Sequence, residues 1–171
     1  MEMKLVKPAM EHKQAALEYR QAHYDHGEIA IDGDNGLDEA ETYEGWLEWL
    51  ENIEAGRHEY LLPSSTYFAV VDDCIVGVVD IRHRLNEGLM KAGGHVGYSV
   101  HPKERRKGYA TEILRLALAK CRGLGIEKVL VTCDKSNIAS QKTILNNAGV
   151  LENEHTDDKG VVTLRYWIEV V

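Results

Sequence analysis

Apolar and polar positions divide the chain into short elements of two periods. Residues 4–7 alternate weakly and predict a first strand, after which Pro8 suits the first turn of a helix running to about Tyr24. Residues 26–36 predict a loop, because Gly27, Gly33 and Gly36 stand beside Asp32, Asp34 and Asn35. A second helix is expected over residues 37–55, with Tyr43, Leu47, Leu50 and Glu54 along one side and Gly56 as its stop. Its other side is acidic, carrying Glu41, Glu44, Glu48 and Glu51.

From Thr66 the period changes to that of strands. Residues 67–71 and 74–81 are β-rich runs parted by Asp72 and Asp73, which predicts an antiparallel hairpin. A third run, 95–100, follows the turn at Gly93 and Gly94. The next stretch is helical, since Ala110, Ile113, Leu114, Ala117, Leu118 and Cys121 trace one stripe, and Gly123 and Gly125 end it. Residues 127–133 form a Val-rich strand. A strand joined to the next through a helix is usually parallel to it, so the sheet should mix both orientations here. Residues 137–147 predict another helix, stopped near Gly149. Runs 150–154 and 161–170 predict a closing hairpin around Asp157, Asp158, Lys159 and Gly160.

A chain of 171 residues with 44% hydrophobic and 28% charged residues fits one domain spanning 1–171, without internal repeats or a low-complexity linker. No apolar run approaches the length needed to cross a bilayer, and the start lacks the core of a signal peptide, so a cytoplasmic protein is expected that does not engage membranes. Cys74, Cys121 and Cys133 are odd in number and lack CxxC spacing, which argues against a disulfide framework and against a metal site. The net charge of −8 argues against nucleic acid as a partner, because that binding needs a broad basic surface.

Against that acidic background one basic cluster stands out. Lys103, Arg105, Arg106 and Lys107, with Glu104 as the lone anion, lie between a strand ending at Pro102 and a helix opened by Gly108. Cations at a helix N-terminus oppose its dipole, each at a cost of about 0.3–1 kcal/mol when exposed. A bound pyrophosphate would remove that conflict, since the first helical turn offers unpaired N–H groups to phosphate oxygens. Composition alone favours a solvated basic loop instead. The P-loop and GxGxxG patterns are both missing.

Arg105-Arg106-Lys107-Gly108-Tyr109-Ala110 resembles the pyrophosphate signature of the GNAT acetyltransferases, Gln/Arg-x-x-Gly-x-Gly/Ala, preceded by a strand ending in Val-x-Pro. The helix beyond it, the strand over 129–133, Asn137 opening another helix and Gly149 near that helix's end fall in the family's order. The resemblance covers about residues 66–171 and is closest to a bacterial group of predicted acetyltransferases of undefined substrate. The first 60 residues match in outline.

The resemblance implies an α/β fold of the α+β type: a central mixed, mostly antiparallel sheet flanked by helices, with a splayed pair of parallel strands. It implies an N-acetyltransferase that moves the acetyl group of acetyl-CoA to an amine of a small molecule, peptide or protein, by direct attack in a ternary complex. Backbone N–H groups from Arg106 through Lys107, Gly108, Tyr109 and Ala110 to Thr111 would bind the pyrophosphate, with Arg105 adding charge. Ser99 and Val100 would pair with the pantetheine arm, and Asn137 would contact the cofactor with Ser140 nearby. A homodimer is common among such domains, and no metal is implied.

The chain departs from the family at two positions. Ile144 stands where many members have the tyrosine that protonates the departing thiolate, and Thr132 where some have an acidic base. His95 is then the preferred base, because an unperturbed imidazole titrates near neutrality, although a strand histidine serves packing more often. Tyr98 and Tyr166 are candidates to give a proton to the thiolate, each against a packing role. Cys133 reads as a buried small hydrophobe before a reactive thiol, and Trp46, Trp49 and Trp167 as packing before a pocket lining. The acidic helix side reads as solvated before it reads as an amine-attracting face. The missing acid and base also motivate a noncatalytic acyl-CoA binding or sensing module.

Overall fold

The structure, a computed structural model, describes residues 2–170. Its strands fall into two sheets. Strands β1 (Lys4–Val6), β2 (Ser64–Val71), β3 (Cys74–Arg82) and β4 (Val96–Val100) pair in that order, antiparallel throughout. Strands β5 (Lys128–Asp134), β6 (Val150–Thr156) and β7 (Val162–Glu169) form the second, also antiparallel, in the order β5-β7-β6. The β2–β3 hairpin turns on Asp72 and Asp73, at φ 49° and 62°, the left-handed pair that a two-residue loop of matching twist requires.

Among the described residues five α-helices accompany the sheets: α1 (Lys13–Asp25), α2 (Tyr43–Glu54), α3 (Glu87–Lys91), α4 (Tyr109–Gly123) and α5 (Ile138–Asn146). The stripe read from the sequence of α4 is its buried face, with Ile113, Leu114, Ala117 and Cys121 fully buried in the core beside β3 and β4. Full burial of such an aliphatic side chain contributes about 1.5–3 kcal/mol. A second core lies under α1 and α2, where Tyr19, Leu37, Tyr43 and Trp46 pack on Phe68 and Val78. Among the described residues no helix is long and apolar enough to cross a membrane.

The second helix starts later than periodicity suggests. Asp34 accepts the amides of Gly36 and Asp38, which winds Leu37–Glu39 into a separate 3₁₀ turn, and Thr42 then caps α2 by accepting the Gly45 amide at 3.0 Å. Helix α3 was not anticipated. Asn86 starts it by accepting the Leu89 amide at 2.9 Å.

The expected parallel contact between β4 and β5 is confined to one point. The His95 amide donates to the Leu130 carbonyl at 2.8 Å, and the His95 ring nitrogen Nδ1 accepts the Leu130 amide at 2.9 Å. Beyond it no ladder joins the two sheets among the described residues, and the strands diverge. The His101 amide bonds back to Val76 on β3 at 2.8 Å. By strand alternation the backbone groups of Ser99 and Gly97 also face β3, whereas those of Tyr98 and Val100 face the gap.

Candidate active site

The gap opens into a cleft of about 970 Å³ that runs from the basic loop, between β4 and β5, to the loop before α2. At one end lies the start of α4. Gly108 caps this helix at φ 83°, in the left-handed region, and no side chain accepts from the first turn. A Cβ there would meet nothing within 4 Å, so the space beside the first-turn amides is open. Tyr109, Ala110 and Thr111 line the cleft with Arg105, Arg106 and Gly108. Lys107 does not: its ammonium reaches Glu104 at 2.7 Å on the exposed side.

The two arginines differ in their attachment. Arg105 donates through Nε to the Val100 carbonyl at 3.2 Å and through its terminal nitrogen to Glu28 at 2.8 Å. Burial raises the Glu28 carboxyl, but the hydrogen bond and charge of Arg105 together with His23 outweigh it and hold that group below the usual range. The charge of Arg105 therefore fastens the loop before α2 to the basic loop. Arg106, at φ 63°, has no acidic partner among the described residues and stands exposed at the cleft.

Midway along the cleft, the Tyr98 hydroxyl and the Ser140 hydroxyl are hydrogen-bonded at 2.7 Å. Burial raises the Tyr98 phenol, partly offset by its bonds to Ser140 and Thr143. Asn137 caps α5, its side-chain oxygen accepting the Ser140 amide at 3.0 Å. Ser99 and Val100 also line the cleft, and the Ser99 hydroxyl is bonded to that of Tyr19 at 2.8 Å. Cys133 reaches the wall but is 8% exposed, and burial raises its thiol, which keeps it protonated.

The remaining residues weighed from the sequence are held in structural contacts. His95 is buried beside the cleft with Nδ1 occupied by Leu130, and burial, helped by the Arg82 charge, lowers it to about 4. Tyr166 is packed in the core on β7. Thr132 lines the cleft as a structural acceptor, holding the Gly93 amide at 2.9 Å. Ile144 is fully buried behind Gly149. Trp46 donates to the Asp34 carbonyl and Trp49 to Asn35, which secures the loop before α2. Trp167 donates to Glu152 on β6.

Sequence reasoning missed the far end of the cleft, where Asp32, Gly33 and Arg82 stand, and Glu28, which lines the cleft beside Arg105. Gly33 is the key to that placement. A Cβ on it would lie 2.4 Å from the Gly97 carbonyl oxygen, so the loop crosses β4 at backbone contact distance. Such a crossing joins residues 64 positions apart and leaves no local pattern.

The comparisons agree with this geometry. The family model for the acetyltransferase (GNAT) domain matches residues 10–149. The RimJ protein of Mycobacterium smegmatis, solved with a coenzyme A disulfide, has a TM-score of 0.72 at 18% identity over 98% of this chain and 81% of that one. The yncA protein of Salmonella typhimurium, solved with its cofactor acetyl-CoA, has a TM-score of 0.66 at 15% identity over 99% and 94%. An acetyltransferase of the same organism that modifies the N-terminal serine of a 50S ribosomal subunit protein has a TM-score of 0.69 at 16% identity, over 98% and 94%. No curated protein matches the sequence. The uncapped start of α4, the splayed strands and a family match that spans most of the chain lead to one conclusion: the chain belongs to the GNAT acetyltransferases and is an enzyme of the N-acetyltransferase class.

Proposed function

We propose that the chain binds acetyl-CoA in the cleft and transfers its acetyl group to an amine by direct attack in a ternary complex. The observation that carries this reading is the meeting, in one continuous cleft, of an uncapped helix start and an unpaired strand edge. The first offers several N–H groups and a positive dipole to a pyrophosphate, and the second offers amide groups to an extended amide-bearing arm. Acetyl-CoA, when bound, supplies the acetyl group on a thioester.

In this reading the amides from Gly108 to Thr111 hold the phosphates and Arg106 adds an unpaired charge. Arg105 positions the basic loop through Val100 and Glu28. Tyr98 and Val100, rather than Ser99, turn their backbone groups to the pantetheine arm, since those of Ser99 are directed to β3. Because Arg105 already donates to the Val100 carbonyl, the free groups are the Tyr98 amide and carbonyl and the Val100 amide. The hydroxyl pair of Tyr98 and Ser140 gives a proton to the leaving thiolate, the task that Ile144 cannot perform. Asn137 contributes its side-chain amide at the mouth. His95 holds the strands together and takes no proton from the acceptor.

The test is release of free thiol from acetyl-CoA in the presence of a panel of primary amines. Acceptor-dependent release is expected. Tight cofactor binding without release for any amine would favour a binding or sensing module instead.

A further inference from the structure

The far end of the cleft carries two opposite charges that the proposed cofactor interactions leave unused. Arg82, on β3, is held in place: its Nη1 donates to the Gly93 carbonyl at 3.0 Å, and its Nε lies 3.4 Å from the Asp80 carboxylate. Nη2 has no hydrogen-bond partner among the described residues, and it lies 3.4 Å from the point where a side chain on Gly97 would begin. The missing side chain leaves that nitrogen open to the cleft.

Asp32 faces the same space from the loop before α2. Its carboxylate has no cation within 4 Å among the described residues, although the Arg82 charge is close enough to act on it. The loop is not free to swing, because Gly33 rests on Gly97 and Glu28 is tied to Arg105. A carboxylate and a guanidinium are thus fixed across a gap, too far apart for an ion pair with each other.

We propose that Asp32 and Arg82 form the acceptor subsite, Asp32 taking the ammonium group and Arg82 a carboxylate borne beside it, so that the acceptor is a free amino acid or an amine of that zwitterionic class. This rests on the acetyltransferase reading above. The ammonium gives its proton to the Asp32 carboxylate, and the freed nitrogen lone pair forms the N–C bond as the C–S bond breaks. The thiolate takes a proton from the Tyr98 and Ser140 pair, and the second proton given up by the acylated nitrogen restores that pair, so that an amide, a free thiol and neutral hydroxyls remain. Burial raises the Asp32 carboxyl, with Glu28 and Asp38 adding to the rise and Arg82 opposing it, which makes that group a better proton acceptor than an exposed aspartate. An N-terminal peptide amine would leave Arg82 without its partner, because the neighbouring carbonyl is an uncharged amide.

The test is calorimetric binding to the protein saturated with coenzyme A, where no turnover occurs. The probes are a panel of free L-amino acids and the matching amino-acid amides. At least one free amino acid should bind about tenfold tighter than its amide. Arg82→Met should abolish that preference, and Asp32→Asn, on the loop before α2, should weaken both probes at least about fivefold. Equal affinity for amide and acid, or no binding by any probe to the folded, coenzyme-saturated protein, overturns the inference and leaves the cofactor reading standing. Failure of coenzyme A itself to bind overturns both.

Discussion

His95 and Leu130 exchange two hydrogen bonds, one from the His95 amide to the Leu130 carbonyl and one from the Leu130 amide to the His95 ring. The pair closes the narrow end of the cleft and sets where β4 and β5 part. His95→Ala should cost about 1–3 kcal/mol in chemical denaturation, since it strands the buried Leu130 amide. His95→Asn can keep an acceptor there and should cost less.

The same residue gives a pH signature. Its folded value of about 4 lies below the unfolded value near 6.5, so the unfolded chain binds more protons between them. The stability this histidine contributes is present above pH 6.5 and is lost as pH falls toward about 4, by about 3 kcal/mol. His23, His83 and His101 are also lowered by burial and act alike in both proteins. The stability advantage of wild type over His95→Asn should therefore shrink on acidification and reverse by the low end of that window, followed by urea unfolding.

Arg105 and Arg106 should respond differently to salt. Arg106→Gln removes an unpaired charge, and its loss of acetyl-CoA affinity should be larger at low salt than at high salt. Arg105→Met releases Glu28 and the Val100 carbonyl, so its loss should depend little on salt. Titrations at two ionic strengths separate the two.

Tyr98→Phe and Ser140→Ala each remove one hydroxyl of the pair that stands 2.7 Å apart. We expect kcat to fall about 10²-fold in either, with acetyl-CoA affinity changed less than about twofold. A parallel loss of affinity would mean that the pair serves binding.

Gly33→Ala tests the loop crossing. The added Cβ would sit 2.4 Å from the Gly97 oxygen at a left-handed φ of 76°, so the variant should lose about 3 kcal/mol and its acceptor-end geometry. Unfolding by denaturant measures it.

Legibility in the sequence followed the range of the interactions. The α4 stripe, the Asp72–Asp73 hairpin and the Gly108 helix start were readable because period, turn chemistry and capping are local. The α2 boundary was misplaced because Asp34 and Thr42 compete with apolar spacing for the same backbone amides. His95 was read as a titrating base, since nothing local reveals that Leu130 would occupy its ring nitrogen. Asp32 and Arg82 were passed over, because they meet across the cleft only once Gly33 has crossed Gly97.

The central claim is that the start of α4 holds the pyrophosphate of acetyl-CoA. Gly108→Asp puts a carboxylate beside those amides, its Cβ entering open space, at a folding cost of about 1 kcal/mol for the left-handed φ. Calorimetric titration of acetyl-CoA into both proteins should give micromolar affinity for wild type and at least a tenfold loss in the variant, about 1.4 kcal/mol. Equal affinity in the folded variant, or no binding to folded wild type, would contradict the account.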